Sequence, residues 1–131
     1  MARTASIAVG GYYPTPQHLV SAIAAHLRPA SSSGHVTIAV CDPCAGEGSA
    51  IIALTKELDT LHSAGTVRVY ANEAEASRFL ALRTALDGLK KDTGRSHTAS
   101  HADAFTLDVT TRSADLLYLN PPYDTDKVHG R

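Results

Sequence analysis

The sequence predicts an open, mostly parallel α/β sheet, and three observations carry that expectation. Short apolar runs rich in β-branched residues alternate with segments of helical period. The runs are apolar almost throughout, as in strands buried on both faces, where a half-solvated strand would alternate. Each run is followed by a polar stretch holding glycine, aspartate, glutamate or asparagine, at the position where such sheets gather their ligands.

Length and charge narrow the setting. The 131 residues suffice for one domain, and 44% hydrophobic content is ordinary for a globular core. Twelve basic residues against thirteen acidic ones leave a formal charge of -1, so no overall field draws the chain to phosphate or anionic lipid. Contact with nucleic acid would have to be local. No apolar stretch approaches the ~20 residues of a bilayer span, and "SIAVGG" is too short for the core of a signal peptide, which makes the cytoplasm the expected location. Cys41 and Cys44 are the only cysteines. Their CxxC spacing has no second ligand pair to complete a zinc site, so no metal is expected, and Cys41 ends an apolar run as a buried thiol would.

The elements follow in order. Thr15 as N-cap and Pro16 at the first helical position predict a helix to about Leu27, with Leu19, Val20, Ile23, Ala24 and Leu27 on one face; Pro29 and "SSSG" then break it. "VTIAVC", Val36 to Cys41, is the first strand and leads into the loop "DPCAGEGS". A helix from about Ala50 to His62 carries Ile51, Ile52, Leu54, Thr55, Leu58 and Leu61, with Gly65 placed to end it. The unit repeats in type: strand Val67 to Ala71, then a helix from about Glu75 to Leu89 carrying Phe79, Leu82, Leu86 and Leu89. A weaker strand spans His97 to His101 and a stronger one, "DLLYL", Asp115 to Leu119.

The polar stretches after the strands carry the chemistry. In Asp42-Pro43-Cys44-Ala45-Gly46-Glu47-Gly48 the glycines allow close approach of backbone to a ligand, or a tight turn needed only for packing. Glu73 stands where nucleotide-binding sheets place a carboxylate for ribose hydroxyls, and it also suits the start of a helix. Asp103, in "HADAF", could accept from an adenine amino group with Phe105 against the ring, or cap a turn. Last comes "LNPPYD". Asn120 offers a carbonyl acceptor, and the two prolines lack N–H donors and help aim the Pro121 carbonyl outward. Two acceptors side by side suit an NH2 group whose lone pair is freed to attack an electrophile, and Tyr123 can stack on the planar ring that bears it. Termination of a strand is the plainer use of Asn-Pro-Pro, but it requires neither the second proline nor the aromatic residue.

"NPPY" after an apolar strand, "DPCAGEG" after an earlier one and "GYYPTP" ahead of both resemble the S-adenosylmethionine-dependent amino-methyltransferases, particularly the adenine-N6 DNA methyltransferases of the gamma arrangement. The likeness runs over essentially the whole chain and is strongest to methyltransferase-like domains of bacterial mobile elements. It implies a Rossmann-like class I methyltransferase sheet with helices on both faces. It places the target amine on Asn120, Pro121, Pro122 and Tyr123, and the methionine part of the cofactor on Asp42, Pro43, Ala45, Gly46 and Gly48. By the same resemblance Glu73 binds the ribose, Asp103 with Ala104 and Phe105 the adenine, and Thr15 with Tyr13 the methionine end.

That family has seven strands and a separate target-recognition region, whereas this chain stops at "DKVHGR", shortly beyond the fourth. Residues 1–131 therefore read as the N-terminal part of a catalytic domain, truncated after the fourth strand, with DNA bound through regions partly absent and a complementing chain or domain as a further partner. Such a piece is expected to be inactive alone and prone to associate through the open edge at Asp115 to Leu119. The implied activity is methylation of an exocyclic base amine, adenine N6 in DNA first of all. RNA or a protein glutamine as substrate, a non-catalytic cofactor-binding module, and half of a split enzyme are the alternatives.

Overall fold

The computed structural model describes residues 13–28, 36–61, 65–93, 95–110 and 112–121. Helix α1 spans Gln17–His26, strand β1 Val36–Asp42, helix α2 Ser49–Leu61, strand β2 Gly65–Asn72, helix α3 Ala76–Thr93 and strand β3 His97–Ser100. A 3-10 turn at Ala104–Thr106 and strand β4, Leu116–Leu117, complete the series. The four strands form one sheet in the order β3-β2-β1-β4, and every pair is parallel.

The strands face the helices through one set of alternating residues. Val40 stands in register with Val69 and Leu116, and both valines are buried. Against them lie Ile51, Leu54 and Leu58 of α2 and Leu82, Leu86 and Leu89 of α3, at the three- and four-residue spacing that keeps side chains on one helical stripe. Gly48 sets how closely α2 enters this packing: its φ is +90°, and a Cβ there would stand 2.8 Å from Cδ1 of Leu82. Cys41, Tyr70 and Thr98, on the alternate positions of the strands, line a cavity of about 350 Å³ together with Leu107, Val109 and Ser113.

The structure departs from the sequence expectation in several places: Gly65 opens β2 instead of ending α2, and α3 runs on to Thr93, past Leu89. Thr15 is not the N-cap of α1; Pro16 is, with no side-chain cap, and its carbonyl accepts Leu19 N–H at 3.0 Å and Val20 N–H at 3.2 Å. The Thr15 hydroxyl is taken by partners far along the chain. The apolar face of α1 is also narrower than predicted, since Val20 and Ala24 are buried while Leu19 and Ile23 are exposed. Strand β4 is two residues long instead of five, although pairing reaches further on both sides: Asp115 N–H donates to Ala39 O and Tyr118 N–H to Cys41 O, each at 2.8 Å. The Asp115 carboxylate accepts the Ala39 N–H in return at 2.8 Å, so a side chain replaces a further ladder bond. The predicted break at Pro29 lies outside the described residues.

β2 lies on one side of β1 and β4 on the other. The order thus reverses beside β1, and a crevice opens at the carboxyl ends there.

Candidate active site

Two acidic residues sit buried at the ends of β1 and β2. Asp42 is 2% exposed and Glu73 6% exposed. Glu73 Oε2 accepts the Gly46 N–H at 2.9 Å, while Oε1 accepts the Glu75 N–H at 2.9 Å and the Arg78 Nε–H at 3.1 Å, with Arg78 Nη2 at 3.0 Å completing an ion pair. One carboxylate therefore ties the glycine loop, the start of α3 and an arginine together. Gly46 has φ +58°, the left-handed region that glycine occupies without strain. Asp42 Oδ1 accepts the Cys44 N–H at 3.1 Å. Burial pushes the Asp42 carboxyl up to about 7; the bond from Cys44 works against the rise, and the Glu73 carboxylate adds to it.

Asn72, between these two strand ends, uses its whole amide. Nδ2 donates to Pro43 O at 3.0 Å and Ala102 O at 2.8 Å, and Oδ1 accepts from Ser100 Oγ at 2.7 Å and Ala102 N–H at 3.1 Å. Its own carbonyl accepts the Ala45 N–H at 2.8 Å. Two donors and two acceptors are all an asparagine amide has, so the loops after β1 and β3 are fixed to the end of β2 by one side chain. Sequence reasoning passed over Asn72 in favour of its neighbour Glu73. The available signal was a polar residue closing a buried strand, which must find partners.

Beyond that clamp, Asp103 caps the 3-10 turn, its Oδ1 accepting the Phe105 N–H at 2.9 Å. Ala104 is half-buried, and Phe105 is 99% exposed. Of the other loop residues, Ala45 is buried, and Gly48 donates its N–H to Ala45 O at 2.9 Å.

The remaining candidates meet at the end of β4. Asn120 Nδ2 donates to Tyr13 O at 3.2 Å and to Thr15 Oγ1 at 3.1 Å, and the Tyr118 hydroxyl donates to the same Thr15 oxygen at 2.5 Å. A backbone carbonyl can only accept, so the atom facing Tyr13 must be the amide nitrogen, which fixes the orientation of the Asn120 amide. Pro121 is exposed beside it; Pro122 and Tyr123 lie outside the described residues, as do Gly11 and Tyr12. Because Tyr118 N–H is bound to Cys41 O, this cluster adjoins Asp42 at the end of β1. Among the described residues no group of three His, Cys, Asp or Glu could hold a metal ion.

The model of the N-6 DNA methylase family matches residues 1–130. The chain belongs to the N-6 DNA methylase family. A comparison with curated proteins gives no match. Among solved structures, a Listeria monocytogenes protein described as a class I S-adenosylmethionine-dependent methyltransferase superposes with a TM-score of 0.63 at 19% sequence identity. The match covers 87% of this chain and 34% of the Listeria chain, so this chain spans about a third of that protein's length.

S-adenosylmethionine is the cofactor of this fold and family, and the residues at the strand ends fit it. Two buried carboxyl groups, one raised to about 7 partly by the other, form a setting that a cationic ligand relieves. Beside them Gly46, at φ +58°, carries no side chain of its own.

Proposed function

We propose that this N-6 DNA methylase chain carries the cofactor loop and the amine-holding residues of a methyltransferase acting on an exocyclic base amine, adenine N6 in DNA. One observation supports the reading above others: both Asn120 amide N–H groups are held, by Tyr13 O and Thr15 Oγ1, while Oδ1 has no bond among the described residues. An amide locked this way is a ready acceptor and a poor donor, which suits a substrate NH2.

The cofactor supplies a methyl group on a sulfonium. In the proposed site Asp42, Pro43, Ala45, Gly46 and Gly48 line its methionine part together with Thr15 and Tyr13, Glu73 faces the ribose, and Asp103, Ala104 and the exposed Phe105 serve the adenine. Asn120 Oδ1 and the Pro121 carbonyl accept the two amine protons, which holds the nitrogen lone pair in line and stabilises the charge developing there. Pro122 stiffens the turn and Tyr123 stacks on the base. A paired base cannot reach such a site, so a flipped or single-stranded target is implied. The rest of the fold, in this chain's own continuation or a partner, would wall the base pocket and read the DNA sequence, and a cytoplasmic setting follows from that substrate.

The test is transfer of labelled methyl from S-adenosylmethionine to adenine-containing oligonucleotides, run on the chain alone and with any coding sequence downstream of it. We expect N6-methyladenine from the completed protein, loss of it in Asn120→Ala, and cofactor affinity in that variant within a few fold. Methylation of RNA or protein glutamine in its place, or undiminished transfer by Asn120→Ala, would overturn the assignment.

A further inference from the structure

Tyr118 stands two residues before Asn120, and its hydroxyl bonds to Thr15, the same residue that holds the Asn120 amide. The backbone of Tyr118 is pinned by its N–H to Cys41 O at 2.8 Å, and its half-buried ring packs against the core. From that fixed base the phenol O–H reaches Thr15 Oγ1 at 2.5 Å. The same oxygen accepts from Asn120 Nδ2 at 3.1 Å. Tyr118 and Asn120 are two residues apart on extended chain, where side chains alternate, so both leave the same side and meet one hydroxyl.

We infer that Tyr118 is a positioning residue for Asn120, acting through Thr15. A hydroxyl oxygen accepts two hydrogen bonds, and here the two donors are the phenol and the amide. With the phenol in place, the Thr15 side chain cannot rotate away without abandoning a short bond, and its oxygen stays where the amide nitrogen needs it. Packing alone would be served by phenylalanine, which fills the same space. The hydroxyl adds orientation, carried from the core to the amide of Asn120.

The inference rests on the proposed role of Asn120 as acceptor for the substrate amine, and the experiment separates the two. Tyr118→Phe keeps the ring and removes the oxygen. It is expected to lower the single-turnover methylation rate about tenfold or more, leave the dissociation constant of S-adenosylmethionine within about twofold, and leave the melting temperature within a few degrees. Asn120→Ala is measured alongside: if it is as active as the parent, the functional reading fails, and if it is inactive while Tyr118→Phe is fully active, only the positioning role fails. A readout independent of turnover is the nuclear magnetic resonance signal of the Asn120 side-chain amide, assigned by its loss in Asn120→Asp. In Tyr118→Phe the two Nδ2 protons are expected to shift and exchange faster with water, and an unchanged pair would overturn the inference even in a protein with no measurable activity.

Discussion

The carboxylate of Glu73 and the backbone N–H of Gly46 meet at 2.9 Å, twenty-seven positions apart in sequence. The end of one strand thereby sets the loop at the end of its neighbour. Replacing Glu73 with glutamine keeps the length but puts an NH2 in place of one oxygen, opposite either the Gly46 N–H or the Glu75 and Arg78 donors, and removes the charge that faces Arg78. The expected loss of stability is about 2 to 4 kcal/mol, with cofactor affinity down at least ~10-fold. Urea denaturation and calorimetry measure both; a Glu73→Gln protein with an unmoved midpoint would show that the loop is held by other means.

The two glycines of the loop should separate binding from packing. Gly46→Val, at φ +58°, should abolish S-adenosylmethionine binding in a protein that still folds. Gly48→Ala should cost about 1 to 3 kcal/mol of stability, because φ +90° is strained for any side chain and Cδ1 of the buried Leu82, 2.8 Å from the new Cβ, must shift. Thermal unfolding and calorimetry on both proteins check the contrast. Unchanged affinity in folded Gly46→Val would remove the loop from the binding site.

Asp42 should give stability a distinctive pH dependence. Its folded value of about 7 lies above the ordinary carboxyl value of 3.8, so between these the folded protein holds a proton that the unfolded chain has released. Stability contributed by this group is therefore fully present below about pH 4 and falls as the pH rises towards 7. Asp42→Asn, neutral throughout, should be more stable than the parent at pH 8 by a few kcal/mol and should lose that slope. Denaturant midpoints between pH 4.5 and 8 decide it, and a parallel pair of pH profiles would count against the buried carboxyl.

Both thiols are held up from their ordinary value, Cys41 and Cys44 alike by burial first and then by the Asp42 charge. The reactive thiolate is accordingly scarce near neutral pH. Iodoacetamide should label the folded protein at pH 7.5 at least ~10-fold more slowly than the urea-unfolded chain, and Asp42→Asn should label faster than the parent. Mass spectrometry of the two cysteines follows both rates. Labelling as fast in the folded state would mean that the thiols are more open than their surroundings imply.

Wherever neighbours in sequence decide the structure, the sequence was readable. The apolar run ending at Cys41, the glycines after it and the stripe from Ile51 to Leu58 give β1, the loop and α2 within a residue or so of their observed bounds. What the sequence concealed depends on partners far away. Thr15 followed by Pro16 obeys the local rule for a helix start, and the rule lost because the hydroxyl is claimed by Tyr118 and Asn120. Asn72 looked like the neighbour of an acidic residue, and only the parallel pairing that brings Ser100 beside it reveals why an amide is needed there. Strand β4 shortened because one of its edge bonds is made by the Asp115 side chain. Asp103 was open between capping and ligand recognition, and its bond to Phe105 N–H supplies the cap.

The bonds from Asn120 to Tyr13 and Thr15 join residues 107 and 105 positions apart. During synthesis at ~5 to 20 residues per second, the threonine and the tyrosine carbonyl precede their amide by roughly 5 to 20 seconds. The loop after β1 can meet β2 and Glu73 well before that, because those contacts close after fewer residues. Contacts of such long separation are also the slowest to form in any refolding chain. A nascent chain can therefore hold its loop after β1 in place before Asn120 has been made, and the amide is oriented only once residue 120 has returned to Tyr13 and Thr15.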